Sequence, residues 1–176
     1  MPGLPQAEPS LKITYVQPKD FTGLLRYVRN ILVVTIDPTA YTKVSVGYEN
    51  NVWARGQVVV SLKAPNTESI VEYSKTHEKA LVNFFVKVEM NRAIEQLQKE
   101  YSMVVMDNLK SDLNVMLNAP ANFTYYKDTT DFFWSSNNAN TGRMDLIVYT
   151  FPYTDPNTFT EEYLVAKRDS VLNANL

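Results

Sequence analysis

The sequence predicts an α+β fold, with an antiparallel or mixed sheet of about six to eight strands and a long helix and a C-terminal helix packed on one face. Three observations predict it. Short β-branched or aromatic runs, set off by turn residues, occupy both ends of the chain. Between Pro65 and Pro120 there is neither proline nor glycine, and apolar residues recur at helical spacing. The 176 residues are 45% hydrophobic and 20% charged, values of a globular chain that can bury a core without a metal or disulfide staple, and they are read as a single domain over 1–176.

Residues 1–10, with Pro2, Pro5 and Pro9, read as an extended lead-in. Leu11 to Val16 alternates like a strand. Asp20 is placed to N-cap a short helix over Phe21 to Arg29, which Gly23 weakens. Ile31 to Ile36 is β-branched and almost continuously apolar, the pattern of a strand covered on both faces. Lys43 to Tyr48 alternates as a half-exposed strand, Glu49 to Asn51 is a turn cluster, and Gln57 to Leu62 is the next strand.

Asn66 or Thr67 then caps a helix whose apolar stripe runs through Ile70, Tyr73, His77, Leu81, Phe84 and Val88, and on through Ile94, Leu97, Tyr101 and Val104. A helix that long would far exceed the usual ~11–12 residues, so a break is expected near Lys99 to Ser102. Strands follow at Leu113 to Leu117, Phe123 to Tyr126, Phe132 to Ser135 and Asp145 to Thr150. Asp128 to Asp131 and Asn137 to Gly142 read as the loops between them. Thr158-Phe159-Thr160-Glu161 reads as a capping box opening the final helix through Tyr163, Ala166 and Val171.

Two stretches, 43–110 and 113–176, echo each other. Each runs from a tryptophan (Trp53, Trp134) to an apolar strand, a Pro-Asn-Thr and a helix with Glu-Tyr. The echo reads either as a duplicated unit or as the ordinary chemistry of strand-to-helix connections.

Composition removes several functions. A net charge of −2, with no dense run of Lys and Arg, gives no attraction for phosphate backbones, so no nucleic-acid partner is expected. The absence of cysteine excludes thiol nucleophiles and thiolate metal sites. One histidine, His77, cannot make a histidine metal site, and it reads as a boundary or core residue; no metal and no cofactor is expected. No apolar run reaches the ~20 residues of a membrane helix. Met1 to Pro5 lacks the features of a signal peptide, which fits cytoplasmic synthesis or an excised piece of a longer protein.

Two groups of residues could hold a ligand. Tyr125, Tyr126, Phe132, Phe133 and Trp134, followed by Asn137, Asn138 and Asn140, combine aromatic faces for stacking with amides that pair with hydroxyls. Trp53 with Arg55 and Gln57, beside Asn50 and Asn51, forms a second such group. The bland reading of both is sheet core and polar hairpin loop. For catalysis without histidine, Asp128, Asp131, Asp155, Glu161 and Glu162 are the available carboxylates, each with an alternative role in a turn or at a helix start.

Longer motifs carry a resemblance. Leu4-Pro5-Gln6-x-Glu8-Pro9, Val28-Arg29-Asn30-Ile31, Val52-Trp53-Ala54-x-x-Gln57 and Phe84-Phe85-Val86-Lys87-x-Glu89-Met90-Asn91-Arg92 lie in the first half. Phe133-Trp134-Ser135, Tyr149-x-x-Pro152-Tyr153-Thr154-Asp155 and Lys167-Arg168-Asp169-Ser170 lie in the second. Together they resemble a family of Bacteroidetes lipoproteins catalogued as a domain of unknown function. The resemblance implies a cell-envelope location, an excised portion of a longer protein, and membrane attachment only through a lipid anchor absent from this chain. The resulting expectation is a non-enzymatic envelope domain that binds a ligand or an envelope protein. A carbohydrate-acting hydrolase using paired carboxylates and a structural assembly module are the alternatives.

Overall fold

The computed structural model describes residues 10–175. The expected lead-in, apart from Ser10, lies outside the described residues. The chain forms two compact units, Met1–Ala93 and Ile94–Leu176, where the sequence reading has one domain. It is mixed α+β, with two sheets of three strands each and three α-helices among the described residues. The six strands therefore do not share one sheet.

In the first unit β1 (Asn30–Ile36), β2 (Ser45–Asn50) and β3 (Val58–Ala64) form a sheet of order β1-β3-β2. β3 runs parallel to β1 and antiparallel to β2. Asn51 and Gly56 turn the chain between β2 and β3 with φ of 59° and 76°. Helix α1 (Thr67–Lys99) starts where Asn66 Oδ1 accepts the Ser69 N–H at 2.8 Å. Phe84, Phe85 and Val88 of α1 pack on Val58 and Val60.

Several expectations change here. Ile31–Ile36 is not covered on both faces: β1 is an edge strand, and its burial alternates, leaving Leu32, Val34 and Ile36 exposed. Leu11 to Val16 forms no strand, for it pairs with neither sheet edge; Leu11 instead packs against the Val58 cluster. The helix expected over Phe21 to Arg29 is two 3₁₀ turns, Pro18–Asp20 and Gly23–Tyr27, and Gly23 at φ 53° cannot sit in a continuous α-helix. His77 is exposed and stacked on Tyr73 at 4.0 Å. The reason is length: α1 is about 50 Å long against about 23 Å for a seven-residue strand, so much of its stripe finds no sheet beneath it. Phe85 is its one buried residue.

α1 ends at Lys99, where the sequence places the break. Ser102 explains it: the hydroxyl accepts the Val105 N–H at 3.3 Å and donates to the Phe123 carbonyl at 2.6 Å, capping α2 (Met103–Leu113). α2 stops at Asn114, left-handed at φ 53°. Leu113 to Leu117 is therefore a helix end and an irregular segment, not a strand.

In the second unit β4 (Tyr125–Thr129), β5 (Phe132–Ser136) and β6 (Asp145–Tyr149) form an antiparallel meander of order β4-β5-β6. Phe133, Leu146 and Val148 on one face pack with Val105, Leu109, Ala119 and Phe123. Full burial of Phe133, Val105, Leu109 and Phe123 contributes about 1.5–3 kcal/mol each. Helix α3 (Glu161–Asn175) lies by the opposite face, where Ile147 and Tyr149 share a groove with it and Lys127 Nζ donates to the Asn175 carbonyl. α2 and α3 thus lie by opposite faces of this sheet. The expected capping box is displaced: Thr158 lies in a 3₁₀ turn, Pro156–Phe159, capped by Asp155, and Thr160 precedes α3 as its cap.

The two echoed stretches each contain an antiparallel hairpin that leads into a helix. The strands that complete the two sheets differ, and β1 precedes the first stretch. β1 joins the last strand of its hairpin in parallel, whereas β4 joins the first strand of its hairpin antiparallel.

Candidate binding groove

The aromatic and amide residues singled out in the sequence are spread by strand geometry. Register places Tyr125 and Trp134 on one face of the second sheet and Tyr126 on the other, where it stacks toward Phe133 at 6.3 Å. Trp134 donates its indole N–H to Asp145 at 3.0 Å and lies under Arg143. Asp145 is held below the usual aspartate range: the Arg143 hydrogen bond comes first, burial opposes it, and hydrogen bonds from Ser136 and Trp134 with the Arg143 charge tip the balance downward. Asn137 closes its own loop, accepting from Met144 N–H at 3.0 Å and donating to the Gly142 carbonyl at 3.3 Å; Asn138 is an exposed left-handed turn residue at φ 45°.

In the first unit Trp53 meets Phe21 edge-on at 5.5 Å, and Arg55 is exposed. Gln57 is 1% exposed, and its amide is committed to the backbone. It accepts the Trp53 N–H at 3.0 Å and donates to the carbonyls of Arg26 and Val28, both at 2.7 Å. That side chain holds a loop in place and has nothing left for a ligand.

The five candidate carboxylates have separate surroundings. Asp155 caps a turn, Asp131 accepts from Thr150 at 3.4 Å, and Glu162 is exposed. Asp128 sits beside Asp112 of α2, a neighbour the sequence did not suggest. Burial pushes its carboxyl up, and the hydrogen bond and charge of Asp112 push it further. Among the described residues no three His, Cys, Asp or Glu side chains are arranged to hold a metal ion, and no helix is long and apolar enough to cross a membrane.

Glu161 leads to a concave feature of the second unit. It lies on the wall of an open groove of about 650 Å³ between β6 and α3. Ile147 and Tyr149 supply one side and Leu164, Val165 and Leu172 the other; Phe159 and Arg168 complete it. Leu164, Val165 and Phe159 are 39%, 41% and 73% exposed, so this apolar lining faces water. Phe159 stacks on Tyr153 at 5.4 Å, and Tyr149 stacks on Phe151, which Lys167 covers at 5.1 Å.

The edge of the sheet borders the same groove. Asn137 N–H bonds to Met144 O and Thr150 N–H to Asp131 O, which fixes the phase of the β5–β6 ladder. Leu146 and Val148 then direct their backbone groups to β5, while Asp145, Ile147 and Tyr149 direct theirs outward. No strand pairs with that outer edge among the described residues. Apart from Glu161, the groove residues were not visible in the sequence as a site. The apolar spacing of Leu164, Val165 and Leu172 was the available signal, and it does not separate a buried stripe from an open one.

The family described as Domain of unknown function (DUF8532) matches residues 1–98, more than half of the chain. The chain belongs to that family. A second description, Domain of unknown function (DUF4837), matches residues 102–176. The DUF8532 match thus takes in the first sheet and nearly all of α1, and the DUF4837 match takes in α2, the second sheet and the groove. No curated protein matches the chain. No solved structure matches it.

Proposed function

We propose that the chain is a non-enzymatic binding module of the cell envelope and that its binding surface is the groove between β6 and α3. The carrying observation is exposed apolar lining beside an unpaired strand edge, a combination that monomers usually avoid and binding sites use. The envelope address rests on the resemblance to Bacteroidetes lipoproteins.

The test is a thermal-shift comparison of the chain with Val165→Glu and Trp134→Ala variants, against short Val/Thr peptides and soluble glycans. Peptide at about a hundred times its dissociation constant adds ~2.7 kcal/mol of stability. The reading expects that gain in the parent chain and in Trp134→Ala, and its loss in Val165→Glu. A gain with glycans that disappears in Trp134→Ala would move the site along this sheet face from the groove to Trp134 and Tyr125 and favour a carbohydrate ligand.

A further inference from the structure

We infer that the partner of this groove is a second copy of the chain, joined edge to edge along β6 about a two-fold axis. The inference rests on the reading of the groove as a binding surface and names its occupant. Outward backbone groups at Asp145, Ile147 and Tyr149 offer alternating donors and acceptors at strand spacing, which only another extended backbone matches; a lipid or a sugar does not.

The edge is also undefended. Asp145-Leu146-Ile147-Val148-Tyr149 has one charge, at its end, and no proline, whereas the opposite edge strand β4 carries Lys127 and Asp128. Antiparallel pairing centred on Ile147 sets Ile147 against its own copy and Asp145 against Tyr149 of the second copy.

α3 supplies the complementarity that selects a second copy over a foreign strand. Along α3, Leu164 and Val165 fall midway between Glu161 and Arg168, and all four line the groove. A two-fold axis through that midpoint packs the apolar pair on itself and brings each Glu161 to the Arg168 of the other copy. An axis perpendicular to the sheet keeps both α3 helices on one face, so strand pairing and helix contact form together. The product is a continuous six-stranded sheet. Arg168, paired within its own helix to Asp169 at 2.7 Å, is exposed and free to exchange partners.

The experiment is sedimentation of the full chain from about 1 to about 200 μM, a range that spans micromolar affinity. A concentration-dependent dimer is expected. Glu161→Arg and Arg168→Glu should each weaken it at least about tenfold, and the double variant E161R/R168E should restore it to within about threefold. Ile147→Pro removes an outward N–H without touching the β5 ladder and should give a folded monomer by circular dichroism. A chain monomeric throughout overturns the inference; retained peptide stabilisation that Val165→Glu abolishes would then leave the groove as a site for another strand. A dimer indifferent to the charge swaps and to Ile147→Pro also overturns it. Loss of both dimer and peptide stabilisation removes the inference and the proposed function together.

Discussion

Arg92 on α1 donates to the side-chain oxygen of Asn30, the first residue of β1 and 62 positions away, at 2.8 Å. The same guanidinium bonds Glu89 at 2.6 Å, the Gly56 carbonyl at 2.7 Å and the Arg29 carbonyl at 3.2 Å. One side chain thus ties helix, strand and hairpin turn together. Arg92→Ala should cost the first unit about 2 kcal/mol, a value lowered from that of a fully buried pair because Glu89 keeps a third of its surface in water. Urea unfolding followed by Trp53 in a Trp134→Phe background reports it, since the chain has two tryptophans.

Glu89 gives this cluster a pH dependence. Burial raises its carboxyl, but the Asn30 hydrogen bond and the charges of Arg29 and Arg92 outweigh burial, so its folded value lies below the ordinary one. The unfolded chain then binds the proton more readily. The stabilisation is complete above the ordinary glutamate value, about 4.3, and is lost as pH falls through the folded value. Glu89→Gln should flatten the acid limb of the stability profile read by Trp53.

Gln57 answers three backbone groups while itself buried. Gln57→Ala should cost about 2–3 kcal/mol, the usual effect of stranding buried carbonyls. Gln57→Glu should be at least as damaging, because it keeps the acceptor and loses both donors. A change of ligand affinity with unaltered stability in Gln57→Ala would contradict the structural role.

Asp128 and Asp112 oppose folding at neutral pH. The folded value of Asp128 is raised, so the folded state holds its proton more tightly than the unfolded chain. The penalty grows as pH rises from the ordinary aspartate value, about 3.9, through the raised one, and is full above it. Asp128→Asn should gain about 0.5–1 kcal/mol at pH 7, a magnitude limited by solvent screening, and nothing near pH 3. Trp134 fluorescence in a Trp53→Phe background reads this unit.

Thr158 is 1% exposed, and its hydroxyl has no partner among the described residues. Thr158→Val keeps the shape and removes the unanswered group. Melting in the Trp53→Phe background should show a gain of about 1 kcal/mol. A loss of similar size would mean that the hydroxyl is engaged.

The sequence announced its elements more clearly than their partners. Asn66 marked a helix start because capping is local chemistry, the break near Lys99 to Ser102 was expected from helix length, and aromatic residues at Phe132 to Ser135 and β-branched ones at Asp145 to Thr150 showed those strands. Sheet membership depends on pairing at a distance, so nothing local divided six strands into two sheets or made Ile31–Ile36 an edge. Motif residues converge in space as well: Arg29, Asn30, Glu89 and Arg92 form one cluster, with Gln57 securing the adjoining loop. Their motifs are accounted for by structure. The groove escaped notice because Ile147, Tyr149, Leu164 and Val165 are ordinary core types, and only the exposure of Leu164 and Val165 sets them apart.

The most direct measurement is residue-resolved amide hydrogen exchange on β6 in dilute and in concentrated protein. The account predicts that Ile147 and Tyr149, whose N–H groups point outward, exchange quickly when dilute and become protected on concentration, while Leu146 and Val148 stay protected throughout. Equal, rapid exchange of Ile147 and Tyr149 at both concentrations and with Val/Thr peptides added would contradict it, leaving the β6 edge and its groove without an occupant.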